Sequence, residues 1–261
     1  METDSDSVIN GCWAAALGNC GGGISNEHLV SECLFKDQSV FVHGLDWCLD
    51  KSKQVRIERL TAKILCKDHN SALSSLDAAA GNGFDLIRDA AKLSNDRGKM
   101  PNLNWAPKQF TINGPLLERW FLKTLLNFSF NRHLIIGPGN HAAGVVPDYL
   151  VKVVFGHEQF SDGCGLYTAF RAKETFKLEQ HFGFTAKARG ANLVMGSFRF
   201  HGYRFYLNLL PERFTGIEES EVFYRQTHFA WEIGGRFSHR LSIVWPKVPL
   251  VATTPPQVHP H

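Results

Sequence analysis

The chain has no run of about 18 apolar residues, so no stretch of it reads as a membrane-spanning helix and no membrane partner is expected. The opening ten residues carry Glu2, Asp4 and Asp6, where a secretory signal needs a basic start and an apolar core. The expectation is therefore an intracellular, cytoplasmic protein whose thiols stay reduced. Cysteine is scarce beyond the N-terminal quarter. Of six, Cys12, Cys20, Cys33, Cys48 and Cys66 come early and only Cys164 follows. Reduced and clustered cysteines argue against a disulfide framework and for a local metal site, with burial as small apolar side chains the ordinary alternative. The glycine-containing stretch Gly137-Pro138-Gly139-Asn140-His141 lacks the Lys-Ser/Thr pair of a phosphate-binding loop. No internal repeat is visible. Net charge is only +3, but its two halves differ: the first hundred residues hold 11 Lys/Arg against 14 Asp/Glu, the rest 17 against 11. A basic second half can attract phosphate backbones, although a mixed solvated surface gives the same count.

What is present suits an ordinary globular chain of 261 residues, 44% hydrophobic and 20% charged, long enough for one large domain or two modest ones. Gly11 to Gly23 is short apolar sequence closed by three glycines, followed by an extended or irregular stretch over 24–34. Ser39 to His43 and Gln54 to Leu60 read as strands, the second with Val55 and Ile57 alternating with charges. From Ser71, apolar residues at Leu73, Leu76, Ala80, Phe84, Ile87 and Ala91 predict a helix, with Asn70 or Ser71 as its N-cap. Residues 95–108 carry Pro101 and Pro107 and read as a loop. Pro115 opens a second helix, to about Leu126, with Leu117, Phe121 and Leu125 on one face and Trp120 beside them. Beyond Gly139 the segments 151–155, 165–171, 175–179, 182–189, 191–198, 203–209, 229–233 and 241–245 are all strand-like. These features predict an α+β protein: a metal-binding module over 11–95, a linker and helix over 96–136, a mostly antiparallel β-rich domain over 137–246, and a proline-rich disordered tail from 247.

The chemistry concentrates in the first seventy residues. Cys66-x-x-His69 has the spacing of a zinc knuckle, and Cys12 with Cys20 can complete four ligands. Cys12 and Cys20 also suit plain burial, and His69 a capping or surface role. Glu27-His28 brings a carboxylate beside an imidazole. Metal-assisted hydrolysis of a phosphodiester needs such a pairing, a base for water and a hard ligand for a divalent cation. Asn70 adds an amide oxygen where the helix begins. Singly, His28 fits a surface histidine and Glu27 a solvated carboxylate.

The order Cys…Cys, Ile-Ser-x-Glu-His, strand, Leu-Cys-x-x-His-Asn, helix resembles the ββα-metal fold of HNH endonucleases, over about residues 12–93. The resemblance implies His28 as general base and Glu27 with Asn70 as ligands of a catalytic Mg²⁺ or Mn²⁺. It implies Cys12, Cys20, Cys66 and His69 as ligands of a structural Zn²⁺, and nucleic acid, DNA foremost, as substrate. Thr61 stands where the family has its middle Asn, and 35–53 reads as an insertion. In another register His69 is the catalytic ligand, Asn70 the cap and Cys66 structural. The competing expectation is a zinc-stabilised module that binds nucleic acid or protein without catalysis; a third is a β-rich protein with an incidental knuckle and no zinc.

In the carboxyl half, His181, His201 and His239 lack metal-ligand spacing and are assigned no role. Phe198-Arg199-Phe200 and Tyr203-Arg204-Phe205-Tyr206 alternate arginine with aromatics, as a base-stacking surface would, or as a half-buried strand would with arginines in water.

Overall fold

The computed structural model describes residues 11–34, 39–43, 48, 51–171, 182–212, 214 and 220–246. In chain order the strands and helices are β1 (Ile24–His28), β2 (Ser39–His43), β3 (Lys53–Arg56), β4 (Thr61–Cys66), α1 (Lys67–Gly98), β5 (Lys108–Asn113), α2 (Gly114–Asn131), β6 (Ile135–Ile136), α3 (Asp148–Phe155), β7 (Gly165–Arg171), β8 (Gly183–Arg189), β9 (Asn192–Phe200), β10 (Tyr203–Asn208), β11 (Ser220–Tyr224), β12 (His228–Ile233) and β13 (Arg236–Val244). The α+β class is as the sequence predicts. No helix of the described residues is long and apolar enough to cross a membrane. The strand expected at 175–179, His181, and the tail from 247 lie outside the described residues.

Three sheets surround the two long helices. β1 and β4 form an antiparallel ribbon in which Ile24 faces Cys66 and His28 faces Thr61, with an irregularity between Ser25 and Glu27. The largest sheet runs β11-β7-β10-β9-β8-β2-β3, with β6 joining β9. It draws β2 and β3 from the first sixty residues into the carboxyl half, β2 lying parallel to β8. The third sheet is β12-β13-β5, with β5 parallel to β13. One continuous core reaches from Cys12 through both long helices to Ile243.

Alternation and periodicity explain most of this. On β9 and β10, Phe198, Phe200, Tyr203 and Phe205 turn inward while Arg199 stays exposed. The arginine–aromatic alternation is thus a half-buried sheet face. Phe121 of α2 lies against Phe198 and Phe205, with ring centroids 4.4 and 5.2 Å away. Phe84 of α1 meets Trp120 edge-on at 5.1 Å, closing the helix pair.

Several expectations are corrected. The segment 151–155 is part of α3, not a strand. Pro147 and Asp148 start the helix, the left-handed Gly156 ends it, and Leu150, Val151, Val153 and Val154 point into the core. A short valine-rich run has no periodicity of its own that separates helix from strand. α1 begins at Lys67, and its N-cap is Cys66, whose sulfur accepts from the His69 amide; neither Asn70 nor Ser71 takes that role. The helix also runs on to Gly98. β5 lies directly after the expected loop, where the burial of Phe110 and Ile112 depends on α1 and β13.

Candidate metal centre and the charged site beside it

The junction of ribbon and helix brings together Cys12, Cys20, Cys66 and His69. All four are buried, and their ligand atoms lie within 4.8 Å of one another. Local structure explains the convergence. Cys66 ends β4 and His69 sits in the first turn of α1, so a Cys-x-x-His spacing points both side chains to one side. The Trp13 amide donates to Ile64 O at 3.0 Å and docks the preceding loop on β4. Gly22 and Gly23, with φ of +70° and +74°, then turn the chain from Cys20 into β1, and Gly23 O accepts from the Lys67 amide at 2.9 Å. Residues with side chains at those two positions would strain the loop that carries Cys20.

The donor set fits a metal such as zinc. His69 Nδ1 lies 3.3 Å from Cys12 Sγ and 3.7 Å from Cys20 Sγ. A tetrahedral zinc with ordinary Zn–S and Zn–N bonds separates such atoms by roughly 3.5 Å. Burial pushes the Cys12 thiol up to about 12, as desolvation does to a group whose charged form has no counter-cation. At Cys66 burial also raises the pKa, but donation from the His69 and Gly21 amides and from the Cys12 and Cys20 thiols outweighs it, and the net shift is downward. Burial lowers the His69 pKa, which keeps the imidazole neutral and its lone pair available. Among the described residues, Cys12, Cys20, Cys48, Cys66 and Cys164 form no disulfide.

Glu27, His28 and Asn70 lie close by in the fold but look in different directions. Glu27 is 5% exposed, and its Oε1 is 2.7 Å from Lys123 Nζ. The same ammonium lies 2.7 Å from Asp77 Oδ2. Asp77 Oδ1 accepts from Ser31 Oγ at 2.5 Å, and Ser31 Oγ accepts from Trp120 Nε1 at 2.8 Å. Burial raises the Glu27 pKa against the lowering effect of Lys123. His28 is on the other face of β1, partly exposed, with Nε2 3.8 Å from Glu32. Its backbone oxygen accepts from Asn127 at 3.2 Å. The Asn70 amide donates to Ser25 Oγ at 3.2 Å.

The partners of Glu27 went unread in the sequence. Trp120, Lys123 and Asn127 form a polar stripe along α2, spaced by three and four, that holds β1 and the turn after it. The signal was present: Lys123 interrupts the apolar runs Trp120-Phe121-Leu122 and Leu125-Leu126, and a lysine is seldom buried without a carboxylate partner. Which carboxylates would meet it required the fold. Comparison of the chain with protein-family models, with curated proteins and with solved structures found no match.

Proposed function

We propose that this protein is a zinc-stabilised ββα module of HNH type that acts in binding, without phosphodiester hydrolysis. The observation that carries the zinc reading is the buried Cys₃His set, whose spacing suits one tetrahedral ion. The ion would tie the N-terminal loop, the ribbon and α1 into one unit. What favours binding over catalysis is Lys123. Its ammonium lies between Glu27 and Asp77, so the carboxylate that a catalytic Mg²⁺ or Mn²⁺ would need already has a fixed counter-cation. A cation placed there would have to displace a side chain that is 2% exposed.

The topology supports a second reading. β1 ends on Glu27-His28 and its antiparallel partner β4 leads straight into a helix that carries Asn70, while Thr61, opposite His28 in place of the family's Asn, counts for the binding reading. In this reading, an HNH endonuclease acting on DNA, His28 is the general base. Nicking of supercoiled plasmid by the zinc-loaded protein in Mg²⁺ or Mn²⁺ separates the two. Binding alone predicts no nicking above the His28→Ala background. Turnover that His28→Ala abolishes while the protein stays folded would replace the binding reading with the nuclease.

A further inference from the structure

A second charged feature lies between the start of α2 and the end of α3, whose last residue, Phe155, has its ring 5.5 Å from that of His69. Arg119 of α2 is half-buried there, and its Nε donates to Val154 O at 2.7 Å, a carbonyl of the last turn of α3. That contact uses one edge of the guanidinium. Among the described residues Arg119 forms no ion pair, and desolvation alone shifts its pKa, downward. Nearby carboxylates are engaged elsewhere. Glu118 takes Arg225 in a two-pronged pair at 2.8 and 3.1 Å and accepts from the Leu166 amide at 2.8 Å. Glu158 pairs with Lys152 at 3.1 Å. Among the described residues Arg119 is therefore a half-buried cation whose positive charge no carboxylate matches.

It lines a cleft of about 70 Å³. Pro115, Val153, Phe160 and Trp245 give the cleft apolar walls, Gln159 adds an amide, and Glu118 with its partner Arg225, and Glu158, also line it. Trp245 is fixed in place: its indole N–H donates to Gln226 O at 3.0 Å and its ring lies 5.3 Å from the Arg225 guanidinium. The terminal edge of Arg119 lies over Gly156, where a Cβ would stand 2.6 Å from Nη1. A side chain at Gly156 would crowd the two nitrogens that the Val154 contact leaves over.

We propose that this cleft binds a carboxylate, taken end-on by Arg119 with its apolar remainder against Phe160 and Trp245. A planar two-oxygen anion matches the parallel N–H groups of a guanidinium, and a single negative charge matches the single unmatched positive one. A phosphate dianion would bring a surplus charge into a partly desolvated site. A phosphodiester would need room for chain on both sides. A carboxylate ends where it binds. The source is either a free small acid or the C-terminus of a peptide. The inference stands apart from the zinc and nuclease readings, because none of its residues belongs to either site.

The test is a titration of the protein as purified with propionate and with N-acetylalanine, followed by ¹H–¹⁵N spectra. The Arg119 Nε–H, held by Val154 O, and the Trp245 indole N–H report from the site. Saturable shifts of both signals in the wild-type protein are the expected result, with the affinity read from the Trp245 indole N–H weakened about tenfold or more by Arg119→Gln and less by Arg119→Lys. Tighter binding of N-acetylalanine assigns the site to a peptide C-terminus, and tighter binding of propionate to a free acid. The proposal is overturned by the absence of saturable shifts up to about 100 mM. Equal shifts with chloride or inorganic phosphate at the same ionic strength overturn it too, as does unchanged affinity in Arg119→Gln. The wild-type titration decides even where the Arg119→Gln protein does not fold.

Discussion

Replacing Lys123 by methionine keeps most of the side chain's length and removes only its charge. In the native protein that charge is shared by Glu27 and Asp77 at 2.7 Å each, with side-chain exposures of 2%, 7% and 23% for Lys123, Glu27 and Asp77. Without it, two carboxylates face one another in a place largely withdrawn from water. Removing one partner of a buried pair costs about 3–5 kcal/mol. At roughly 2–4 °C per kcal/mol for a chain of this size, the melting temperature should fall by roughly 6–20 °C at pH 7.5. The sign of the pH dependence follows from Glu27, whose folded pKa burial already raises above its ordinary 4.5. In the variant it rises further, so the folded state holds a proton that the unfolded state releases. The penalty is therefore largest above the folded pKa and shrinks as pH falls through it. Adding Glu27→Gln to Lys123→Met should recover part of the loss at pH 7.5. Thermal unfolding followed by circular dichroism at pH 7.5 and 5.5 measures all of this. A Lys123→Met protein within about 0.5 kcal/mol of wild type at pH 7.5, or one equally destabilised at both pH values, would refute the view that the ammonium neutralises two buried carboxylates.

Protein purified without chelator should carry about one zinc per chain by elemental analysis, as one four-ligand site requires, and Cys66→Ser or His69→Ala should reduce that content sharply. Chelation should lower the melting temperature, since metal binding at a structural site is folding free energy; wild type with no zinc, or with no response to chelator, contradicts the assignment. His239 is buried, stacked on Trp231 with centroids 4.6 Å apart, and hydrogen-bonded through Nε2 to Ala90 O, and burial lowers its pKa to about 4. The stability this neutral form contributes is complete above the unfolded value of 6.5 and is lost as pH falls toward 4, up to about 3 kcal/mol; an NMR titration midpoint near 6.5 would contradict it. Gly114→Ala should cost about 1–3 kcal/mol by overpacking, because a Cβ there stands 2.6 Å from the Trp245 ring; an unchanged melting temperature would show that the ring moves freely aside.

Local spacing carried much of the candidate metal site. A cysteine ending a strand and a histidine one helical turn later must point the same way, so Cys66 and His69 were legible from four consecutive residues. Cys12 and Cys20 were legible as a second pair beside a glycine run, but that they and not Cys33 or Cys48 join Cys66 and His69 was decided by the fold. The cores of α1 and α2 and the strand alternation around Phe198 and Phe205 followed from periodicity, which burial of one face enforces. Other features depended on partners distant in sequence. β5 is a strand because β13 lies beside it, more than a hundred residues later, and α3 is a helix because its valines have a core to enter. Glu27 read equally well as a metal ligand or as a solvated carboxylate, and the fold gave it Lys123, ninety-six residues on, and Asp77. A side chain's chemistry is written in its own residue, but its charge state and availability depend on what stands against it, and only the tertiary structure decides that.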